Sequence, residues 1–530
     1  MAYNSLAYLV VFLVPVFFLY TIVPKRYKWI VLLAASYGFY LMGSGFLVIF
    51  LLITTVSIYF CALSLDKVAK NAAAVRKTLP KEEKKAFRQK IDKKKRRIVL
   101  LTVLVNILIL LVLKYYNFLG GAMDVLLASI GLPKIFPTIS RQIQPLGISF
   151  YTLQAISYVL DVYHGKYTAD RNFGKVALYL VFFPQIVEGP IGRFDLLADQ
   201  LYEGHAFDWQ RTISGIQLIL WGLFQKVVIA DRADILVGKV CGSFANYSGI
   251  TVILTMLIYT LQIYTDFAGS IDIVAGSAQL FGVSLSKNFD RPFSSHTVNE
   301  FWRRWHITLG TWLRDYVFYP VSISKPIFSL GKFARKHFST FLAGLVPAFI
   351  SLFCVWFTNG FWHGAGVKYI LYGMYYYVIT ILGLLFEPLF RRFFEATKID
   401  RKGKGFQVFQ VVRTFFLVNV GMLLFRANTI GSFGAMFVSM FSGFNPSVLT
   451  DGSLLSLGLD NKDLVVLAVG TLLLWIVGRL HTKGHHLRDE LAQKNSFLRW
   501  GLSMAMLFVI IIFGAYGYGY VAINPIYGNF

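Results

Sequence analysis

Two histidines occupy positions whose surroundings suit chemistry. His363 lies in NGFWHGAG, residues 359–366, directly after the apolar run TFLAGLVPAFISLFCVWFT, and His306 lies in NEFWRRWHITLGTWLRDYVFYP, residues 299–320. Asn359, Gly360, Gly364 and Gly366 flank His363, and glycine lets another backbone or a ligand approach closely. Desolvation pushes a buried imidazole toward its neutral form. A neutral imidazole in a dry pocket accepts a proton from a hydroxyl, which is the task of a general base in acyl transfer. The plainer account is structural, because a histidine near a membrane surface more often serves as a neutral hydrogen bonder.

Acyl transfer also needs donors aimed at a developing oxyanion. The indole N–H groups of Trp362 and Trp305 and the amide of Asn359 are candidates, each with the commoner alternative of anchoring its helix. The segment 265–320 is the least lipid-like long stretch of the chain and carries Asp266, Asp272, Asp290, Arg303, Arg304 and Asp315 among its aromatics. A lipid-facing span cannot hold that density of ionisable groups, so the segment lies at an interface or lines a protein cavity. Asp266, Asp272 and Arg303 join the candidate substrate-binding residues, and Arg303 and Arg304 suit lipid headgroup contacts equally well. Ser294, Ser295 and Thr297 offer N-caps, and from Val298 a helical pattern gathers Trp302, Trp305, Leu309 and Trp312 on one broad face. One interfacial amphipathic helix is the simplest account of that pattern.

The elements that must position these residues are membrane helices. The 530 residues are 56% hydrophobic and 15% charged, more apolar than a soluble chain of this size requires. Apolar runs recur at 6–23, 29–42, 46–63, 98–113, 145–160, 174–187, 213–230, 248–264, 340–358, 367–386, 407–424, 463–479 and 499–513. A span needs about 20 residues, so several of these are re-entrant or partly buried in protein. The expectation is an all-α polytopic membrane protein with about 11–13 membrane helices or re-entrant segments. Residues 1–65 would be N-terminal membrane helices and 66–97 a connector. A core would span 98–430 with an interfacial segment at 265–320, and 431–530 would be a C-terminal membrane extension.

The net charge of +25 sits in connectors: 66–97 holds 14 Lys or Arg against four acids, and PKRYK at 24–28 is also basic. A solvated connector beside anionic headgroups accounts for this better than nucleic-acid binding. The positive-inside rule puts both stretches in the cytoplasm, two spans apart, and the N-terminus outside. The first Lys is residue 25, so no positive region precedes the first apolar run as a cleaved signal would need. Cys61, Cys241 and Cys354 share no metal-type spacing and read as small buried hydrophobes. HExxH, CxxC, GxSxG and Walker-type loops do not occur, and no strong internal repeat is present.

With those residues in view, the chain resembles the membrane-bound O-acyltransferases, in the bacterial branch of the alginate O-acetylase and the teichoic acid D-alanyl transferase. The resemblance rests on FFPQIVEGPIGRF (182–194), YTDFAGSIDIVAGSAQLFG (264–282), NFDRPF (288–293), residues 299–320 and NGFWHGAG, in family order. Where relatives read Gly-Tyr-Ser-Asp, this chain has Gly269-Ser270-Ile271-Asp272, so only Asp272 is a clear counterpart. The resemblance implies a helical bundle round a funnel, with a tunnel that joins the membrane faces at the histidines. It also implies that His363 is the essential histidine and that His306 orients the acyl group or its acceptor. Chain length, the FRAN stretch at 425–428 and the tail FGAYGYGYVAINPIYGNF resemble the alginate type.

A thioester is already activated, so the protein must align a hydroxyl, remove its proton and stabilise the oxyanion. Without a hydrolase-type serine motif, direct transfer in a ternary complex is expected rather than an acyl-enzyme. Arg193 in GPIGRF suits the phosphates of coenzyme A, and equally a pairing with Asp195 or the cytoplasmic lipid face. The expected enzyme is an O-acetyltransferase of the bacterial plasma membrane, with no metal and no tightly bound cofactor. It would take acetyl from cytoplasmic acetyl-CoA and send it to an exported polysaccharide or cell-wall glycan, through an extracytoplasmic serine-hydrolase-like partner. The alternatives are D-alanyl transfer from a carrier protein's phosphopantetheine thioester, and a lipid or polysaccharide transporter whose histidines relay protons.

Overall fold

A computed structural model describes residues 2–139 and 144–516. Among the described residues the regular structure is helical, and the only β-type pairing is an isolated antiparallel bridge between Phe289 and Trp305. Nine helical stretches among them are long and apolar enough to cross a bilayer: Lys25–Thr78, Glu83–Ser129, Trp209–Gly242, Gly249–Leu280, Thr340–His363, Val367–Leu385, Lys404–Arg426, Asn461–Thr482 and Ser496–Phe513. Two shorter apolar helices, Ala7–Ile22 and Ile430–Ser439, accompany them. The all-α polytopic expectation matches this architecture. Most of the C-terminal tail, residues 517–530, lies outside the described residues.

Contacts group the chain into two compact units, Met1–Ile216 with Val274–Ser286, and Gln217–Ile273 with Lys287–Phe530. In the first unit, the run 174–187 forms no spanning helix. Phe173–Val181 has nine residues, and the chain then turns through residues 182–192, all buried. Irregular backbone at that depth needs protein partners. It has them: Tyr3 Oη donates to the Phe183 carbonyl at 2.7 Å and the Phe183 N–H donates to Ser36 Oγ at 3.0 Å. Aromatic rings of Tyr8, Phe12, Phe39 and Phe183 pack within 5.1–6.4 Å of one another beside the turn. The helix Ile148–His164 is likewise buried along nearly its whole length, so the run 145–160 faces protein rather than lipid. The basic connector is largely helical, since Val48–Thr78 and Glu83–Ser129 extend the flanking membrane helices into it.

The second unit holds the histidines. Thr340–His363 and Val367–Leu385 form a hairpin whose axes approach closely because two glycines lack side chains. A Cβ on Gly373 would collide with the Trp356 carbonyl, and one on Gly360 with the Tyr369 carbonyl. Trp302, Trp356 and Tyr376 then pack as an aromatic cluster, with ring centroids 4.8–5.5 Å apart. Of the glycines around His363, Gly360 thus answers a packing need by letting the next helix's backbone approach, whereas Gly364 makes room for the Tyr369 ring.

One expectation is overturned here. The amphipathic pattern from Val298 is two short helices, Val298–Arg304 and Ile307–Leu313, broken at Trp305 and His306. Thr297 does cap the first, its hydroxyl accepting from the Glu300 N–H at 3.1 Å. Trp305 is extended and His306 is left-handed at φ 47°, ψ 52°. A helical wheel assumes regular backbone dihedrals, and the break is made by residues 288–290, which pair with 304–307 and lie outside the periodic window.

Candidate active site

His306 is held at the break from both sides. The Asp290 N–H donates to the Arg304 carbonyl at 2.9 Å, and the Ile307 N–H donates to the Asn288 carbonyl at 2.9 Å. A non-glycine residue in the left-handed region costs about 1–2 kcal/mol and persists only where its surroundings overdetermine it. The bridge between Phe289 and Trp305 supplies that constraint. The His306 side chain is 3% exposed. Its Nδ1 lies 3.2 Å from Asn288 Oδ1, which also accepts from the Thr308 N–H at 3.1 Å and the Thr308 hydroxyl at 2.9 Å.

His363 ends the helix Thr340–His363 and is 5% exposed. Tyr372 and Phe425 stand edge-on to its ring at 5.8 and 5.3 Å. Trp362 contacts both imidazoles, at 5.7 Å from His306 and 5.0 Å from His363. Phe267 stands edge-on to His306 at 4.9 Å. Burial, and then the neighbouring His363, hold the His306 imidazole well below its ordinary pKa, so it stays neutral. The two rings thus share one aromatic, water-poor surround.

The other sequence candidates divide. Asn359 is buried one helical turn before His363, on the same face, and its Nδ2 has no hydrogen-bond partner among the described residues. Trp362 touches both histidines. Trp305, beside His306 in the chain, packs among Phe289, Phe301 and Tyr264 at 5.1–6.1 Å, the geometry of an anchor. Arg303 is exposed, and its Nε donates to the Asn299 carbonyl at 3.4 Å. Asp266 pairs with Lys226 at 2.7 Å and Asp272 accepts from Gln225 Nε2 at 2.7 Å, so both belong to a polar network between the helices Trp209–Gly242 and Gly249–Leu280. Arg193 lies in the first unit as the N-cap residue of Phe194–Glu203, where Asp195 pairs with Lys166 at 2.7 Å.

Two groups were not singled out from the sequence. Asn288 sits in the quoted NFDRPF stretch, but its contact with His306 crosses 18 positions of irregular chain that no periodicity reports. Lys226 had a readable signal, a lone lysine beside Gln225 inside the apolar run 213–230. It pairs with Asp231 and Asp266, each at 2.7 Å. The seven-residue π-helical segment Phe224–Ala230 carries it. That irregular turn presents the Val227 carbonyl to the Ala515 N–H at 2.9 Å and the Val228 carbonyl to Arg232 at 2.7 Å.

Comparisons with known proteins point the same way as the motifs. The sequence model of the membrane-bound O-acyltransferase family matches residues 169–425, which include Arg193, Asn288, His306 and His363. The chain is 33% identical over 444 residues to a Pseudomonas syringae pv. tomato protein named "Probable alginate O-acetylase", covering 83% of this chain and 75% of the relative. It is 28% identical over 317 residues to the peptidoglycan O-acetyltransferase of Helicobacter pylori, covering 55% of each chain. It is 25% identical over 317 residues to the teichoic acid D-alanyltransferase of Bacillus subtilis, covering 58% of this chain and 76% of the relative.

Proposed function

The chain belongs to the membrane-bound O-acyltransferase family, and from that premise we propose that it moves acetyl from cytoplasmic acetyl-CoA toward an extracytoplasmic polysaccharide or cell-wall glycan. It is a multi-pass membrane O-acyltransferase. The observation that carries the finer reading is the pair of buried imidazoles on Trp362, inside the stretch the family model matches. Acetyl is favoured over D-alanyl because the O-acetylating relatives share more identity, 33% and 28% against 25%. The names of these relatives specify alginate, peptidoglycan and teichoic acid, hydroxyl-bearing polymers of which the first two are glycans.

The chemistry follows from the surround. One neutral imidazole takes the proton of the incoming hydroxyl, whose oxygen attacks the thioester carbonyl. The other holds the acyl group or its acceptor in line. A positioned base contributes about 10²- to 10⁴-fold. The Asn359 amide, one turn from His363, supplies N–H donors suited to the oxyanion. The aromatic walls exclude water, so the thioester meets the hydroxyl and not the solvent. Acceptance of the acetyl group by an extracytoplasmic serine-hydrolase-like partner fits a chain without GxSxG, and the basic connectors 24–28 and 66–97 fit a cytoplasmic face of a bacterial plasma membrane with the N-terminus outside.

Membranes carrying the chain, supplied with labelled acetyl-CoA with or without a D-alanyl carrier protein, test this reading. Label is expected in envelope glycan from acetyl-CoA alone. Transfer only from the loaded carrier would replace acetyl by D-alanyl.

A further inference from the structure

Within that reading of the histidine pair, we propose that Asn288 is a positioning residue that fixes the tautomer of His306 and so makes His306 Nε2 the nitrogen that receives the acceptor's proton. The argument begins with the Thr308 backbone N–H, which can only donate. It meets the Asn288 side chain at 3.1 Å, so the atom facing it is the carbonyl oxygen and not the amide nitrogen. The Thr308 hydroxyl reaches the same oxygen at 2.9 Å, and Asn288 Nδ2 has no hydrogen-bond partner among the described residues that would favour the flipped amide. His306 Nδ1 faces that oxygen at 3.2 Å, and two acceptors cannot bond each other. Nδ1 therefore carries the hydrogen, and in the neutral ring Nε2 carries the lone pair.

This tautomer decides which partner His306 serves. A lone pair on Nε2 cannot donate to a thioester carbonyl, but it accepts from a hydroxyl. The resemblance implies the base for His363; the Asn288 contact gives a proton-accepting nitrogen to His306. In the step, the O–H bond breaks and its proton passes to Nε2 while the oxygen forms a bond to the thioester carbon. The C–S bond breaks as the tetrahedral intermediate collapses. The thiolate leaves with the proton that Nε2 returns, giving ester and free thiol with the ring neutral again. Backbone geometry supports the aim of the ring, because the Asn288 carbonyl bonds the Ile307 N–H as its side chain bonds the His306 ring. The titratable group that bears on His306 is His363.

The test measures acetyl transfer in membranes carrying the full chain, supplied with labelled acetyl-CoA, over about pH 5 to 9. Asn288→Ala should lower the rate by about ten-fold or more at every pH, within the 10²- to 10⁴-fold a base contributes. Asn288→Asp keeps the acceptor for Nδ1–H and adds a negative charge that favours the imidazolium. Its rate should recover at alkaline pH, with the acid limb moved to higher pH. A wild-type rate for Asn288→Ala, or equal losses for Ala and Asp with an unmoved acid limb, would overturn the assignment. Independently of any Asn288 variant, the ¹⁵N spectrum of His306, assigned by its loss in His306→Gln, should show a protonated Nδ1 and a bare Nε2; the reverse pattern also overturns it. His306→Ala separates the two levels of the argument. Full transfer by that variant sinks the site itself, whereas loss there with wild-type behaviour of both Asn288 variants sinks only this inference.

Discussion

Two buried polar sites in the second unit solve the same problem in opposite ways. Around Lys226 each ionisable group has a partner of the opposite kind: the ammonium sits between Asp231 and Asp266 at 2.7 Å each, and Arg232 bonds Asp463 at 2.8 Å and the Phe513 carbonyl at 2.8 Å. Around His306 and His363 the surround is Phe267, Trp362, Tyr372 and Phe425, and burial keeps the His306 ring neutral. A paired charge is held tightly by its partners, which suits a strut between helices. A neutral imidazole among aromatic rings takes up a proton without first breaking an ion pair, which suits transfer. Burial alone therefore does not mark a reactive site; what compensates the buried group does.

The contrast breaks most readily at the histidines. His363→Ala and His306→Ala should each cost about 10²-fold or more in acyl transfer while the protein still accumulates in membranes, measured as label moved from thioester to acceptor. Because His306 is held below its ordinary value and must be neutral to accept a proton, activity should persist as pH falls through about 6.5 and fail only below it. A pH–rate profile whose acid limb lies at or above that value would contradict the neutral surround. Lys226→Met should instead act on folding. It leaves two carboxylates without their cation, a loss of roughly 3–5 kcal/mol, read from thermal unfolding in detergent, and adding Asp231→Asn and Asp266→Asn should recover part of it.

Smaller effects sharpen the same division between support and chemistry. Gly373→Ala drives a methyl into the Trp356 carbonyl and should destabilise the hairpin by about 1–3 kcal/mol, seen as a lower unfolding temperature. Thr297→Ala removes the cap of Val298–Arg304 and should cost about 1 kcal/mol by the same measurement. An unchanged unfolding temperature for Gly373→Ala would mean that the glycine contact is not what sets the spacing of the two helices.

Much of the helical framework was legible because lipid imposes a simple rule on sequence: a spanning helix must be long and apolar, and its charges must gather at its ends. The run 174–187 escaped that rule because its turn is shielded by Tyr3, Ser36 and a wall of rings that lie far away in sequence. His363 was legible from its flanking glycines and its place at the end of an apolar run. Trp305 and His306 were misplaced on one continuous helix, because dihedral breaks imposed by a distant segment leave no mark in a 3.6-residue period.

The sequence by itself determined that this chain crosses a membrane many times, that His363 closes an apolar helix, and which motif-bearing segments to examine. Only the tertiary structure decided that the histidines share Trp362, that Asp266 and Asp272 are engaged by Lys226 and Gln225, and that Asn288 holds the ring of His306. The physical reason is range. Hydrophobic length and periodicity are properties of contiguous residues, whereas a hydrogen bond that sets a tautomer depends on ångström-scale placement of atoms from separate segments.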